Sequence, residues 1–295
     1  MKKLLPVAAA LLLLVSVPAP PAGAAPLRVL ASFLQMYLFT VNVAGDAPGV
    51  GVELMLPASL GCPHDYALTP GDMRKIAAAD LFVANGLGME DFLGSPVRKA
   101  NPGIRVVETA KAVPPVREEG GDRGSVNPHA WLSPKSAILQ VRAIERALSG
   151  MSPANAPRFR ANADAYARRL AALSAEFDAA AAGFRRRNIV TFHNVFDYLA
   201  RDYGLKIVGE VETVPGQEPS AGDVRKLARV IREKGVPALF VSPDSPPRVA
   251  EMVAREAGIP VRVLDPVATG STAPGAYEEA MRRNLRILVE ALSRP

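Results

Sequence analysis

A chain of 295 residues, 49% hydrophobic and with a formal charge of +6, holds enough apolar material for one large domain or two lobes of ordinary size. Its single cysteine, Cys62, rules out an intramolecular disulfide, so a hydrophobic core must supply the stability. The positive charge lies on Arg-rich helix faces such as Arg185-Arg186-Arg187, with no basic stripe interleaved with aromatics, which argues against nucleic-acid binding.

The chain opens with a secretory leader over residues 1–24. Lys2 and Lys3 form its charged start, Leu4 to Val17 its apolar run, and Ala22-Gly23-Ala24 a small-residue cleavage signature. The apolar run is too short for a membrane span, which needs roughly 20 residues. No cysteine follows the cleavage signature, so the usual bacterial lipid attachment point is missing. Removal of the leader takes two lysines with it and lowers the formal charge from +6 to +4. The mature chain is expected to be free in the periplasm.

Short β-rich runs then alternate with amphipathic helical stretches. Leu27 to Ala31 reads as a strand, Phe33 to Ala44 as a helix and Val50 to Leu56 as a second strand. Thr69-Pro70-Gly71-Asp72 places a capping threonine, a first-turn proline and an early acid ahead of a helix. Leu81 to Ala84 and Ile104 to Val107 continue the strand series, and Ser133-Pro134 starts another helix by the same logic. The βαβα order implies a parallel sheet covered by helices.

The pattern changes after Gly150. Phe159, Tyr166, Leu170, Leu173, Phe177 and Phe184 follow a seven-residue rhythm in an alanine-rich stretch. This spacing predicts one long helix, firmly begun at Asn155 with Pro157 in its tolerated first turn. It reads as a strut between two halves.

Alternation then resumes. Asn188 to Phe192, Lys206 to Val211, Ala238 to Val241 and Val261 to Leu264 read as strands. Val195 to Tyr203, Ala221 to Lys234 capped by Ser220, Pro246 to Ala257 and Ala276 to Leu292 read as helices. The expected division is a leader (1–24), an N-terminal lobe (25–150), a linker helix (151–187) and a C-terminal lobe (188–295). The fold class is α/β, two βα lobes with mainly parallel sheets. The repeat lies in the pattern of elements and not in the residues themselves.

The chain has three histidines, and none sits on the apolar stripe of a helix. His64 follows the second strand in Cys62-Pro63-His64-Asp65-Tyr66, and His129 precedes a capped helix in Asn127-Pro128-His129-Ala130-Trp131-Leu132. His193 ends the strand that opens the second lobe, and Asp265 ends the strand Val261 to Leu264. Ligands of open parallel sheets bind at the carboxyl ends of the strands. Neutral imidazole suits borderline-soft metals such as zinc, and a carboxylate completes a four-coordinate shell at about 2 Å. Taken singly, each histidine also reads as a surface or satisfied core residue, and the wide spacing does not decide.

Several motifs carry a resemblance over nearly the whole mature chain. They are Asn42-Val43-Ala44-Gly45-Asp46, Pro63-His64-Asp65-Tyr66 with Thr69-Pro70, and Ala79-Asp80-Leu81-Phe82-Val83 with Asn85-Gly86 and Met89-Glu90. They continue through Pro128-His129-Ala130-Trp131-Leu132, His193 with Phe196, Tyr198-Leu199, and Leu264-Asp265-Pro266. The chain resembles the periplasmic solute-binding proteins that serve ABC transporters for zinc and manganese uptake, the metal-binding lipoprotein and adhesin-like family. The histidine motifs are specific for that family; the strand and helix matches alone are not.

The resemblance implies two βα lobes joined by one long helix, with the metal in the cleft between them. It implies that His64, His129 and His193 ligate the metal, with Asp265 as fourth ligand. A histidine at position 193 leans toward zinc, where manganese or iron carriers often place a glutamate; manganese is the alternative cargo. The implied partner is the membrane permease of an ABC transporter, and the carrier is expected to be monomeric and not an enzyme. Capture and release follow, with release by the transporter or by protonation of the histidines near an ordinary imidazole pKa of about 6.5. The rigid strut should limit closure of the lobes to a small shift.

Two departures from the family pattern stand out. The stretch Arg117 to Val126 is short and lacks the histidines of the acid-rich loop in many zinc-specific members. Cys62 lies close to His64, as a soft ligand or, more plainly, as a small buried residue. A secreted zinc hydrolase is the rival of another class, but the chain has no H-E-x-x-H and no G-x-S-x-G. A fourth protein ligand would also close the open position that catalytic zinc needs.

Overall fold

The computed structural model describes residues 26–61, 63, 66–117, 126–212 and 219–293. The leader lies outside them. The first lobe contains β1 (Leu27–Ala31), α1 (Leu34–Ala44), β2 (Val50–Leu54), α2 (Pro70–Ala78), β3 (Leu81–Ala84), α3 (Gly94–Ala100), β4 (Arg105–Glu108) and α4 (Pro134–Met151). After α5 (Ala156–Ala182), the second lobe contains β5 (Asn188–Thr191), α6 (Asp197–Tyr203), β6 (Lys206–Glu210), α7 (Ala221–Lys234), β7 (Leu239–Val241), α8 (Pro247–Ala257), β8 (Val261–Val263) and α9 (Ala276–Leu292).

The strands form two four-stranded sheets with all pairings parallel, in the orders β2-β1-β3-β4 and β6-β5-β7-β8. The two orders are the same. The repeat legible only as a pattern in the sequence is therefore a repeat of topology. Inner strands are apolar on both faces because helices cover both: every residue of β3 is buried, as are Leu239 and Phe240 of β7. Edge strands are less covered, so Val106 on β4 and Val263 on β8 stay about half exposed. In each sheet the order reverses beside the first strand, which opens a crevice at the carboxyl ends.

Local chemistry starts the helices where the sequence indicated. Thr69 accepts from the Asp72 N–H while Asp72 accepts from the Thr69 N–H, a reciprocal cap on α2. Ser220 and Asp223 make the same pair on α7, and Ser133 caps α4 ahead of Pro134. The long helix α5 begins at Ala156, one residue later than expected, because a 3-10 turn takes up Pro153–Asn155. The helix expected from Val195 splits into a 3-10 turn, Asn194–Phe196, followed by α6.

With 27 residues, α5 is about 40 Å long. Its stripe of Phe159, Tyr166, Leu170, Leu173 and Phe177 is buried. Toward the first lobe, Asn162 donates to the Val43 carbonyl (3.1 Å) and Asp164 pairs with Arg142. Toward the second, Phe177 packs on Tyr203 with ring centroids 4.9 Å apart, and Arg169 and Glu176 pair with Glu278 and Arg282 of α9. The last helix adds a second tie between the halves. Tyr277 of α9 is fully buried, packs edge-on to Phe39 of α1 and donates to the Trp131 carbonyl at 2.7 Å. Among the described residues, no helix is long and apolar enough to cross a membrane.

Candidate metal centre

His129 sits just ahead of a 3-10 turn, Ala130–Leu132, that leads into α4, and its side chain is buried. A buried polar frame under β3 holds this segment. Asn85, directly after β3, donates to the carbonyls of Pro128 and Gly86, both at 2.8 Å. The Asn85 oxygen accepts from Gln140 on α4, which also donates to Thr109. Gly86 adopts a φ of +81°, and a Cβ there would stand 2.8 Å from the Glu108 Cβ, so only glycine makes this turn.

Glu90 closes the same turn from below. Its carboxyl accepts from the N–H groups of Asn85 (2.7 Å) and Gly86 (2.8 Å) and from the Ser32 hydroxyl (2.8 Å). Burial pushes its pKa up to about 7, against the lowering effect of those donors.

His193 follows β5 on extended backbone, half-buried, just before the Asn194–Phe196 turn. Its ring faces that of His129 across the lobes, edge to face, with centroids 6.2 Å apart. Asn127 joins the two segments. Its Oδ1 accepts from the His129 N–H and lies 2.9 Å from His129 Nδ1. Its Nδ2 donates to the Asn194 carbonyl (2.5 Å) and to Asp197 Oδ2 (2.6 Å).

Asp265 lies beyond β8, held through its backbone by reciprocal bonds to the Asn284 side chain at 2.7 Å each. Its Oδ1 accepts from the Val267 N–H (2.7 Å), and Arg283 approaches Oδ2 at 3.4 Å. Val267 has a φ of 57°, a strained value for a β-branched residue, directly beyond the proline that follows Asp265. The intervening Pro266 carbonyl accepts from Trp131 Nε1 at 2.9 Å, so this turn is fastened to the His129 segment.

His64 lies outside the described residues, as do Cys62 and Asp65. The flanking backbone is described: the Tyr66 N–H donates to the Pro63 carbonyl (3.1 Å), and the Tyr66 hydroxyl donates to Asp72 (2.9 Å). Among the described residues, no three His, Cys, Asp or Glu side chains form a group able to hold a metal. What the described residues do bring together is the pair His129 and His193. Two imidazoles are donors that suit a borderline-soft divalent ion. The buried frame of Asn85, Glu90 and Gln140 and the junction residue Asn127 were given no role from the sequence, although Asn85 and Glu90 stand in the motifs that carry the family resemblance.

The profile of the ZnuA family, zinc-uptake complex component A, periplasmic, matches residues 29–291. The chain belongs to that family. It is 31% identical over 278 residues to the zinc-binding lipoprotein AdcA of Streptococcus pneumoniae serotype 4, covering 89% of this chain and 55% of AdcA. The chain thus spans about half the length of the AdcA relatives it matches. It is 30% identical over 284 residues to the high-affinity zinc uptake system protein ZnuA of Bacillus subtilis strain 168, covering 90% of this chain and 88% of that one. Among solved structures, FpvC of Pseudomonas aeruginosa in complex with Mn2+ superposes with a TM-score of 0.79 at 33% identity, covering 90% of this chain and 98% of the other. A crystal structure of ZnuA superposes with a TM-score of 0.80 at 26% identity, over 90% and 99% of the two chains. The family and these neighbours carry the two-lobed α/β architecture described above.

Proposed function

We propose that this protein is a periplasmic carrier that captures a divalent transition metal, zinc, and delivers it to the permease of an ABC-type uptake transporter. His64, His129, His193 and Asp265 hold the cargo, and the carrier does no chemistry on it. The observation that carries this reading is the approach of His129 and His193, one from each lobe, to a centroid distance of 6.2 Å in a cleft where parallel sheets bind ligands. Membership of a zinc-uptake family supports the cargo, and the names of AdcA and the Bacillus ZnuA agree with it. The protein acts as a monomer, free in the periplasm after loss of its leader. The two ties between the lobes, α5 and α9, favour a small closing motion.

A second reading keeps the carrier and changes the cargo to manganese, because FpvC was solved with Mn2+ at 33% identity. Metal content by mass spectrometry on protein from its own periplasm separates them, beside a His64→Ala, His129→Ala, His193→Ala triple variant. About one zinc per wild-type chain and none in the variant is the expected result. Manganese in place of zinc overturns the cargo, and no metal in either protein overturns the carrier.

A further inference from the structure

The amide of Asn127 stands between two segments that each bear a histidine, and its orientation is set from both sides. On the nitrogen side it meets the Asn194 carbonyl and the Asp197 carboxylate, which accept and have no proton to give. On the oxygen side it meets the His129 N–H, which only donates. Turning the amide over would break all three contacts. With Oδ1 so placed, the His129 Nδ1 at 2.9 Å can only be the donor. The proton of the neutral ring is then on Nδ1, and Nε2 carries the lone pair.

The same side chain also ties His129 to the neighbourhood of His193. Asn194 follows His193 directly, and Asp197 opens α6. Tyr198, next on that helix, donates to the Asn127 carbonyl (2.9 Å) and accepts from the Val116 N–H (3.2 Å).

We infer that Asn127 is a positioning residue for metal capture: it sets the His129 tautomer and fastens that ring to the His193 turn, so that the two imidazoles form a half-site for a borderline-soft divalent cation. This rests on the proposed ligand role of His129 and His193. Groups that orient a ligating histidine through its other nitrogen raise metal affinity by about 10- to 100-fold in known sites. Asn127 does this from an amide whose other end is bonded to the opposite lobe.

The test reads the tautomer first, in the metal-free protein. Long-range proton–nitrogen correlation on the 15N-labelled mature chain is expected to show His129 protonated on Nδ1; protonation on Nε2 overturns the inference before any variant is made. In Asn127→Leu, His129 is expected to shift toward the Nε2–H form, with the zinc Kd raised about 10- to 100-fold. The double variant Asn127→Asp, Asp197→Asn keeps an acceptor for the ring and reverses the polarity of the bond to position 197, while giving up the bond to the Asn194 carbonyl. It is expected to keep the Nδ1–H form and to bind zinc more tightly than Asn127→Leu. A merely structural Asn127 would lower thermal stability in Asn127→Leu while leaving the tautomer unchanged and Kd within about threefold, and that result sinks the inference. Failure of the ligand reading looks different: His129→Ala would then still bind zinc with wild-type affinity, whatever Asn127 does to the tautomer.

Discussion

In the first lobe, the candidate ligand His129 is almost fully enclosed and stands on a buried polar frame made by Asn85, Glu90, Gln140 and the Gly86 turn. In the second, His193 is half-buried and comes directly off β5 on extended backbone. Both lobes use the same strand order, so the crevice at the carboxyl ends is present in each. A strand end suffices to aim one histidine, whereas a histidine far along the chain from β4 needs its loop held from beneath. The cores differ in the same sense. One apolar cluster runs from the first sheet through α5 and α9 into the inner face of the second sheet. A separate cluster under α7 and α8 serves the outer face of the second lobe alone.

The sharpest way to break this arrangement is at Trp131, where the lobes meet. Its ring is buried, packs edge-on to Phe33 (5.2 Å) and His129 (5.3 Å), and its indole N–H holds the Pro266 carbonyl. Trp131→Ala removes a large buried side chain and leaves Pro266 with only the long 3.4 Å bond from Gln35. A loss of about 3–5 kcal/mol is expected from chemical denaturation. A loss below about 1 kcal/mol, the size of an ordinary surface change, would show that the lobes are held elsewhere.

Glu90 tests the buried frame through pH. Its folded pKa is raised from the ordinary 4.5 to about 7, so the native state binds the proton more tightly than the unfolded chain. The contribution is fully present below pH 4.5 and is lost as pH rises through about 7. Over that window the carboxyl makes wild-type stability fall by about 3 kcal/mol as pH rises. Glu90→Gln cannot titrate, so the difference in unfolding free energy between wild type and variant should change by that amount between pH 4 and 8. A pH-independent difference would place the Glu90 carboxyl in a far wetter site than the one described.

Much of this fold is legible in particular residues. Thr69-Pro70-Gly71-Asp72 and Ser220 announce their helices because a cap is local chemistry, settled within one turn. The rhythm of Phe159 to Phe177 gives α5 for the same reason: a helix face is a periodic property of its own segment. His193 is legible as a strand end. The frame is not, because whether a loop glutamate such as Glu90 is buried depends on donors from Ser32, Asn85 and Gly86 that only the fold collects. The role of Asn127 hides likewise, since its partners Asn194 and Asp197 stand in the other lobe. Nor does any local pattern say that α9 returns to pack Tyr277 on Phe39 of the first lobe.

The two caps offer the gentlest comparison of the lobes, because α2 and α7 occupy equivalent places, each leading into the strand that follows the crevice. Their chemistry is the same and their surroundings are not. Asp72 is buried and also accepts from the Thr69 and Tyr66 hydroxyls, whereas Asp223 is exposed and takes its bonds from Ser220. Loss of a cap costs about 1 kcal/mol, and more where the orphaned partner is buried. Thr69→Ala should therefore lower stability by about 1–2 kcal/mol, since Asp72 loses a partner in a site that water reaches poorly. Ser220→Ala should cost less, because water replaces the lost hydroxyl. Tyr66 is tied to the Thr69 cap through Asp72, so only Thr69→Ala should also weaken zinc binding. Equal stability losses with unchanged zinc affinity in both variants would mean that the cap on α2 holds its helix alone and nothing of the segment that carries His64.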